Sequence, residues 1–302
     1  MTCPSIIRIE ELWKRFGRHD AVRGITMNIP EGSAYALIGA NGAGKTTTIK
    51  ILMNILEPTR GSASILGVDS RKISPRELGQ IGYVSENQEL PERLTVDEYF
   101  AYLRPLYAQW DRDLEALIRG QLRLPAARRI GALSHGMRMK LVLACALPFR
   151  PHLLILDEPF SGLDPLVRDE FMDGLLGQAG ETTILISTHE LGEIEGVATH
   201  VAFLEEGQML FDEPMEELNS RFRAVRVTFD QPPRLPDQPQ RDWLRISAVG
   251  NVLEFVDSRF VEGDSQNWLR SRFNGIRAIE VEPVPLRTIF TSLARAVRDR
   301  AA

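Results

Sequence analysis

The chain has little cysteine, no long apolar run and no surplus of positive charge, and each shortage removes a class of protein. Cys3 and Cys145 are the only cysteines among 302 residues. Two such distant thiols make neither a disulfide framework nor a metal-binding spacing, so a reducing cytoplasmic setting is expected. The longest apolar stretch, Leu141 to Phe149, is about half the ~18 residues that a membrane helix needs. The opening Met-Thr-Cys-Pro-Ser lacks the basic and apolar regions of a signal peptide. Service at a membrane would therefore be rendered from outside the bilayer. A net charge of −5 speaks against a nucleic-acid partner, which usually calls for a basic face, and none is expected. What remains is ordinary globular composition, 43% apolar and 25% charged, long enough for one large domain or two. There is no internal repeat and no low-complexity tract.

Residues 1–220 alternate strand-like and helix-like patterns, which predicts an α/β domain. Ile6-Ile7-Arg8-Ile9 and Ala21 to Met27 have the character of early antiparallel strands, and Ala34 to Ile38 is a short apolar strand. An inserted helical subdomain is expected over about 87–150. Within it Leu94, Val96, Tyr99, Leu103, Leu106, Leu114, Leu117 and Ile118 fall at helical spacing. Strands return at Leu153 to Leu156, Thr183 to Ile186 and His200 to Leu204, each apolar enough for a buried parallel strand.

Over 221–302 the pattern becomes that of a small α+β appendage. Val225, Val227 and Phe229 alternate with Arg226 and Thr228. Pro232, Pro233, Pro236 and Pro239 follow, then the apolar pairs Leu244 and Ile246, and Leu253 and Phe255. A helix near 264–273 and a strand at 276–282 precede Leu286, Ile289, Phe290, Leu293 and Val297, an amphipathic helix whose stripe is read as core packing.

The chemistry concentrates in three places. Gly39-Ala40-Asn41-Gly42-Ala43-Gly44-Lys45-Thr46 satisfies the Gly-x4-Gly-Lys-Ser/Thr pattern of a phosphate-binding loop, between the strand at 34–38 and a helix from Thr47. Its glycines let backbone N–H groups curl round an anion at a helix N-terminus. Lys45 can reach the β- and γ-phosphates, and the Thr46 hydroxyl can ligate Mg2+. The chain is therefore expected to bind a nucleoside triphosphate. Downstream, Leu153-Leu154-Ile155-Leu156-Asp157-Glu158-Pro159 is a buried strand ending in two acids, at the strand end where open parallel sheets hold ligands. Asp157 would hold Mg2+, directly or through water, and Glu158 would act as general base on the attacking water. Finally, Ser134 is a natural N-cap for a helix from about Arg138 to Leu147, and Gly136 allows close approach of a ligand.

Taken in order, these segments resemble the ATP-binding-cassette family. Its motifs match the loop at 39–46, Ile81 to Glu86, Leu133-Ser134-His135-Gly136-Met137, the strand and acids at 153–158, Ser161-Gly162-Leu163-Asp164 and Ile186-Ser187-Thr188-His189. The likeness spans about residues 6–215 and implies a P-loop NTPase cassette with an antiparallel β edge. It places Phe16 where an aromatic ring stacks on adenine, His189 against the γ-phosphate, Asp164 at contacts across a dimer, and Glu86 beside the metal. The implied nucleotide-binding residues are Phe16, Gly39, Asn41, Gly42, Ala43, Gly44, Lys45, Thr46, Thr47, Ser134, Gly136 and Asp164. The implied catalytic residues are Glu158, His189 and Lys45, with Thr46, Asp157 and Glu86 at the metal. ATP and Mg2+ are the implied cofactors.

The chain departs from the family pattern at His135, where glycine is usual, at Met137, where glutamine would contact ribose, and at Glu86, where glutamine is usual. These departures resemble exporter subunits of the ABC-2 type. One copy each of the phosphate loop and the Ser134 segment implies a homodimer enclosing two ATPs, peripheral on the inner face of the cell membrane. It would drive a separate membrane-embedded permease docked near Glu86 and about Glu89 to Phe100. The appendage would support the dimer, regulate hydrolysis or complete the fold. Two rivals are a soluble cassette ATPase acting on ribosomes or DNA and a non-hydrolysing ATP-binding regulator. The first lacks its tandem cassettes or coiled coils here; Lys45, Asp157, Glu158 and His189 speak against the second.

Overall fold

Two long strands, β1 (Ser5–Phe16) and β2 (His19–Pro30), open the chain as an antiparallel hairpin. They run past the apolar segments that announce them because the pairing is irregular. A register shift between Ile9 and Leu12, with Glu11 at φ 44°, breaks the period-two alternation yet keeps Ile7, Ile9 and Leu12 buried. The structure is a computed structural model that describes residues 4–176, 182–194, 196–234 and 242–301. Cys3 and the prolines 236 and 239 fall outside them, as does the side chain of Val297. The chain divides into two compact units, Met1–Asp212 and Glu213–Ala302.

In the first unit, β3 (Ala34–Ile38) runs into α1 (Lys45–Leu52). Strands β4 (Arg60–Ile65) and β5 (Val68–Asp69) join the hairpin in a sheet of order β2-β1-β4-β5. The short helix α2 (Pro75–Leu78), closed by a Ser74–Glu77 capping box, leads to β6 (Ile81–Ser85). Helices α3 (Val96–Leu103), α4 (Arg112–Gln121) and α5 (His135–Ala146) form the inserted subdomain. The chain then returns through β7 (Leu153–Asp157), α6 (Pro165–Leu176), β8 (Thr183–Thr188), β9 (His200–Glu205) and β10 (Gln208–Pro214). The second sheet has the order β10-β9-β3-β8-β7-β6, and β9, β3, β8, β7 and β6 pair in parallel.

Strand β7 shows why its residues are apolar without alternation. Leu153 and Ile155 enter a core shared with the antiparallel sheet and α1, where Ile7, Met27, Ile49 and Leu52 lie. Leu154 and Leu156 enter a second core with Phe100, Ile118 and Leu143 of the helical subdomain. Burying both faces demands a continuous apolar run. Cys145 lies in the second core, where burial pushes its thiol well above the ordinary range.

Helix α4 turns a different face inward from the one its leucines suggest. Leu114, Glu115 and Ile118 are buried, whereas Leu117 is exposed, as is Leu106 in the turn at Arg104–Leu106. Glu115 occupies core space because four donors meet it. Arg104 donates from Nε at 2.8 Å and Nη2 at 2.7 Å, Trp110 Nε1 at 2.8 Å and Arg119 Nη1 at 3.0 Å. Burial alone would raise its carboxyl, but the bonds from Arg104, Trp110 and Arg119 outweigh it and hold the group down at about 2.

In the second unit α7 (Met215–Arg221) precedes β11 (Arg223–Phe229), β12 (Trp243–Val249), β13 (Val252–Asp257), α8 (Asp264–Arg272), β14 (Ile276–Pro283) and α9 (Leu286–Ala301). Its sheet has the order β12-β13-β11-β14, with antiparallel neighbours. Val225, Val227 and Phe229 point into a core with Trp243, Phe255, Leu269 and Phe273, while Arg226 faces out to Glu254 at 2.7 Å. This unit begins before the change in sequence pattern near 220. Arg221 at the end of α7 donates to Glu213 at 2.8 Å and to the Ser258 carbonyl at 2.6 Å, so the polar helix belongs with the strands that follow.

Glu115 provides a stability test with a definite sign. A carboxyl held below its unfolded value stabilises the fold above that value and ceases to do so as pH falls through the folded value. Glu115→Gln is expected to melt below wild type at neutral pH, by circular dichroism, with the gap closing as pH falls from about 4.5 towards about 2.

Candidate functional site

The carboxyl ends of β3, β7 and β8 lie side by side, with Ile38 opposite Thr188 and Asp157 opposite Ser187. This register brings the phosphate loop, the two acids and His189 to one edge of the parallel sheet.

The loop between Ile38 and Lys45 needs its glycines for different reasons. A Cβ on Gly39 would overlap the Leu204 carbonyl oxygen, so β9 leaves room only for hydrogen there. Gly44 has φ 107°, and a Cβ would stand 2.5 Å from the Ala21 carbonyl. Gly42 has φ 85° but open space around it, so its demand is conformational. Lys45 opens α1 at only 4% exposure. Its ammonium donates to the Gly39 carbonyl at 2.6 Å and the Ala40 carbonyl at 3.2 Å, and lies 2.9 Å from Glu158 Oε1. The ion pair with Glu158 lacks hydrogen-bond alignment, which leaves Glu158 Oε1 a buried oxygen without a hydrogen-bond partner.

Asp157 is buried at the end of β7. It accepts from Thr46 Oγ1 at 3.0 Å and from Ser187 Oγ at 2.6 Å. Burial pushes its carboxyl up, the bonds from Ser187 and Thr46 oppose that, and the Glu158 charge adds to the rise. Glu158 follows with φ 51°, its N–H fixed by the Ser187 carbonyl at 3.1 Å. His189 Nδ1 meets Glu158 Oε2 at 2.8 Å. Lys45, Thr46, Asp157, Glu158 and His189 thus form one connected network. Ser187 belongs to it too, although the sequence drew attention only to its neighbour His189. The signal was a hydroxyl beside the strand-end acids within Ile186-Ser187-Thr188-His189.

A cleft of about 330 Å3 lies over the loop, lined by Phe16, His19, Ala21, Asn41, Gly42, Gly44, Lys45, Thr46, Thr47 and Glu158. Phe16 is 46% exposed at the tip of the β1–β2 hairpin, with the Lys14 ammonium 4.9 Å from its ring centre. Its ring lines the cleft and takes no part in the core. Ala43 is buried, its N–H bonded to the Ala40 carbonyl at 3.0 Å and its carbonyl to Gly207 N at 3.0 Å.

The remaining candidates lie outside the lining of that cleft. Ser134 caps α5, accepting from Met137 N at 3.3 Å. At Gly136 a Cβ would stand 3.0 Å from Val167 Cγ1, so the bare Cα is used for packing α5 against α6. His135 Nε2 donates to the Ser161 carbonyl at 3.0 Å. Asp164 caps α6, its carboxylate accepting from Val167 N at 3.0 Å. Glu86 follows β6, and its N–H reaches the Asp157 carbonyl at 3.4 Å. Its carboxylate makes no ion pair among the described residues.

A family model described as ABC transporter matches residues 22–161. An uncharacterized ABC transporter ATP-binding protein of Bacillus subtilis, YxlF, is 34% identical over 221 residues, 72% of this chain and 73% of that one. The chain belongs to the ABC transporter ATP-binding proteins. The bacitracin transport ATP-binding protein BcrA of Bacillus licheniformis is likewise 34% identical, over 72% of this chain and 73% of its own. The lantibiotic transport ATP-binding protein SrtF of Streptococcus pyogenes is 34% identical over 70% of this chain and 95% of its own. Among solved structures, an ATP-binding subunit of an ABC transporter superposes with a TM-score of 0.66 at 28% identity, over 72% of this chain and 92% of that one.

As an ABC ATPase the chain binds and hydrolyses ATP. Its loop glycines can be told apart experimentally. Gly39→Ala, which forces a methyl onto the Leu204 carbonyl, is expected to destabilise the fold by ~3 kcal/mol or more. Gly42→Ala, which pays only left-handed strain, should cost about 1–2 kcal/mol. Urea denaturation midpoints of the two variants measure the difference.

Proposed function

We propose that this ABC ATPase works as a homodimer with two composite ATP sites and drives export through a separate membrane-embedded permease. The observation that carries the reading is a division of parts. Lys45, Thr46 and Glu158 line one cleft, with Asp157 bonded to Thr46 and His189 to Glu158, while the Ser134 helix start is bonded to none of them and is absent from the lining. A second copy supplies the missing half by placing its own Ser134 segment on the γ-phosphate. ATP then bridges two subunits, and its hydrolysis removes the bridge.

The γ-phosphate takes over Lys45 from Glu158, which frees Glu158 Oε1 to accept a proton from water. Water oxygen bonds to the γ-phosphorus, the bond to the bridging oxygen breaks, and ADP and phosphate result. His189, already on Glu158 Oε2, holds the base in place and keeps Nε2 for the phosphate. Thr46 and Asp157, two adjacent oxygen donors with a buried carboxylate that gains from a cation, fit Mg2+. Bound there, Mg2+ would neutralise charge on the β- and γ-phosphates. Phe16 offers a ring face to adenine.

The relatives BcrA and SrtF are named for bacitracin and lantibiotic transport, which favours transport over a soluble machine. No helix among the described residues is long and apolar enough to cross a membrane, so the permease would be a separate chain holding this one to the inner face of the cell membrane. The surface around Glu86 and Glu89 to Phe100 is its proposed seat. The second unit is proposed to support the dimer.

Glu158→Gln should bind ATP, dimerise on gel filtration and release phosphate at least about a hundredfold more slowly than wild type; hydrolysis at the wild-type rate would remove Glu158 from the base role. Truncation after Pro214 tests the second unit. It should weaken ATP-driven dimerisation, and unchanged dimerisation of a folded fragment would refute the supporting role.

A further inference from the structure

We propose that His135 is a positioning residue that ties the start of α5 to the loop carrying Glu158, so that closure on one nucleotide sets the base at the other. The inference rests on the homodimer reading, in which Ser134 of one protomer meets the ATP held by the other.

The imidazole bridges two segments that serve different sites. On one side it is the first residue of α5, next to the Ser134 cap. On the other, its Nε2–H donates to the Ser161 carbonyl at 3.0 Å. The ring also lies over Gly162, where φ is 67° and an added Cβ would stand 3.6 Å from His135 Cδ2. Ser161 is three residues beyond the base, and its N–H closes a turn onto the Glu158 carbonyl at 3.3 Å. The loop is pinned at Glu158 by Ser187 of β8 and at Asp164 by the capping bond to α6. His135 supplies the side-chain bond to its middle.

The neighbouring packing points the same way. Gly136 sets its bare Cα against Val167, and Leu163 packs there as well. The first turn of α5 therefore touches the loop, the ring over it and the helix after it. Displacement of this turn by a nucleotide on the partner would be felt at Ser161 and, through the turn bond, at Glu158. Glycine, the residue of the family pattern, has no side chain to make this link. His135 is exposed in the single chain, so water competes for the bond until the partner covers this face.

The test uses full-length protein and separates the donor from the bulk of the ring. His135→Phe keeps the ring without a donor; His135→Gln keeps a donor without the ring. Steady-state phosphate release should show kcat down about fivefold for His135→Phe, with KM for ATP within about twofold and the Hill coefficient falling towards one. His135→Gln should stay within about twofold of wild type. Wild-type kcat and Hill coefficient in His135→Phe would overturn the proposal, as would equal losses in both variants. If His135→Phe fails to fold, as judged by its melting curve, His135→Gly serves as the variant without a donor. ATP-driven dimerisation in a Glu158→Gln background is followed in parallel. Absence of the dimer there removes the homodimer reading and the tether with it; a normal dimer with an unaffected His135→Phe removes the tether alone.

Discussion

A buried ammonium organises this site. Lys45 is almost wholly out of water, and a charge in that position must be paired and hydrogen-bonded or it unfolds its surroundings. The Gly39 and Ala40 carbonyls can reach it only if the loop doubles back on itself, which requires Gly39 pressed on Leu204 and Gly44 at a positive φ. Glu158 can reach it only if β7 ends beside β3 with β8 between them, and if the chain kinks at φ 51° after Asp157. The order of the parallel sheet, the loop conformation and the positive φ of Glu158 are therefore aspects of one electrostatic requirement. The cleft over the loop is thus lined by a cation already held in place, with the Glu158 carboxylate beside it.

Much of this could be read from the chain because the residues concerned are short-range and chemically unusual. A Gly-rich octapeptide between an apolar strand and a helix admits few conformations, and Asp157-Glu158 after four apolar residues has few reasons to exist elsewhere. Strands β3, β7, β8 and β9 were legible because both faces are buried and the apolar run is unbroken. Features that depend on long-range partners were harder to see. Glu115 looks solvent-facing until Arg104, Trp110 and Arg119 are brought to it in space, and its inward turn is what leaves Leu117 outside. The full length of β1 was hidden by the irregular residues after Ile9.

Position 136 carries a subtler lesson. A glycine beside a serine cap invites a ligand-based explanation, and the fold supplies a packing one in Val167. The two are compatible, since a helix start pressed close to its neighbour can still present backbone N–H groups at its tip. Position 187 is the converse case, a serine that looks incidental in sequence and joins Asp157 to the backbone of Glu158 in space.

Cys145 has a consequence for where such a chain could live. Its thiol is buried among the helices of the subdomain, and burial holds the proton on sulfur. Oxidation and disulfide exchange begin from an accessible thiolate, so neither has a foothold at this position. The scarcity of cysteine that suggests a reducing compartment is, at Cys145, also an indifference to redox conditions: an oxidising medium would find no reactive sulfur there.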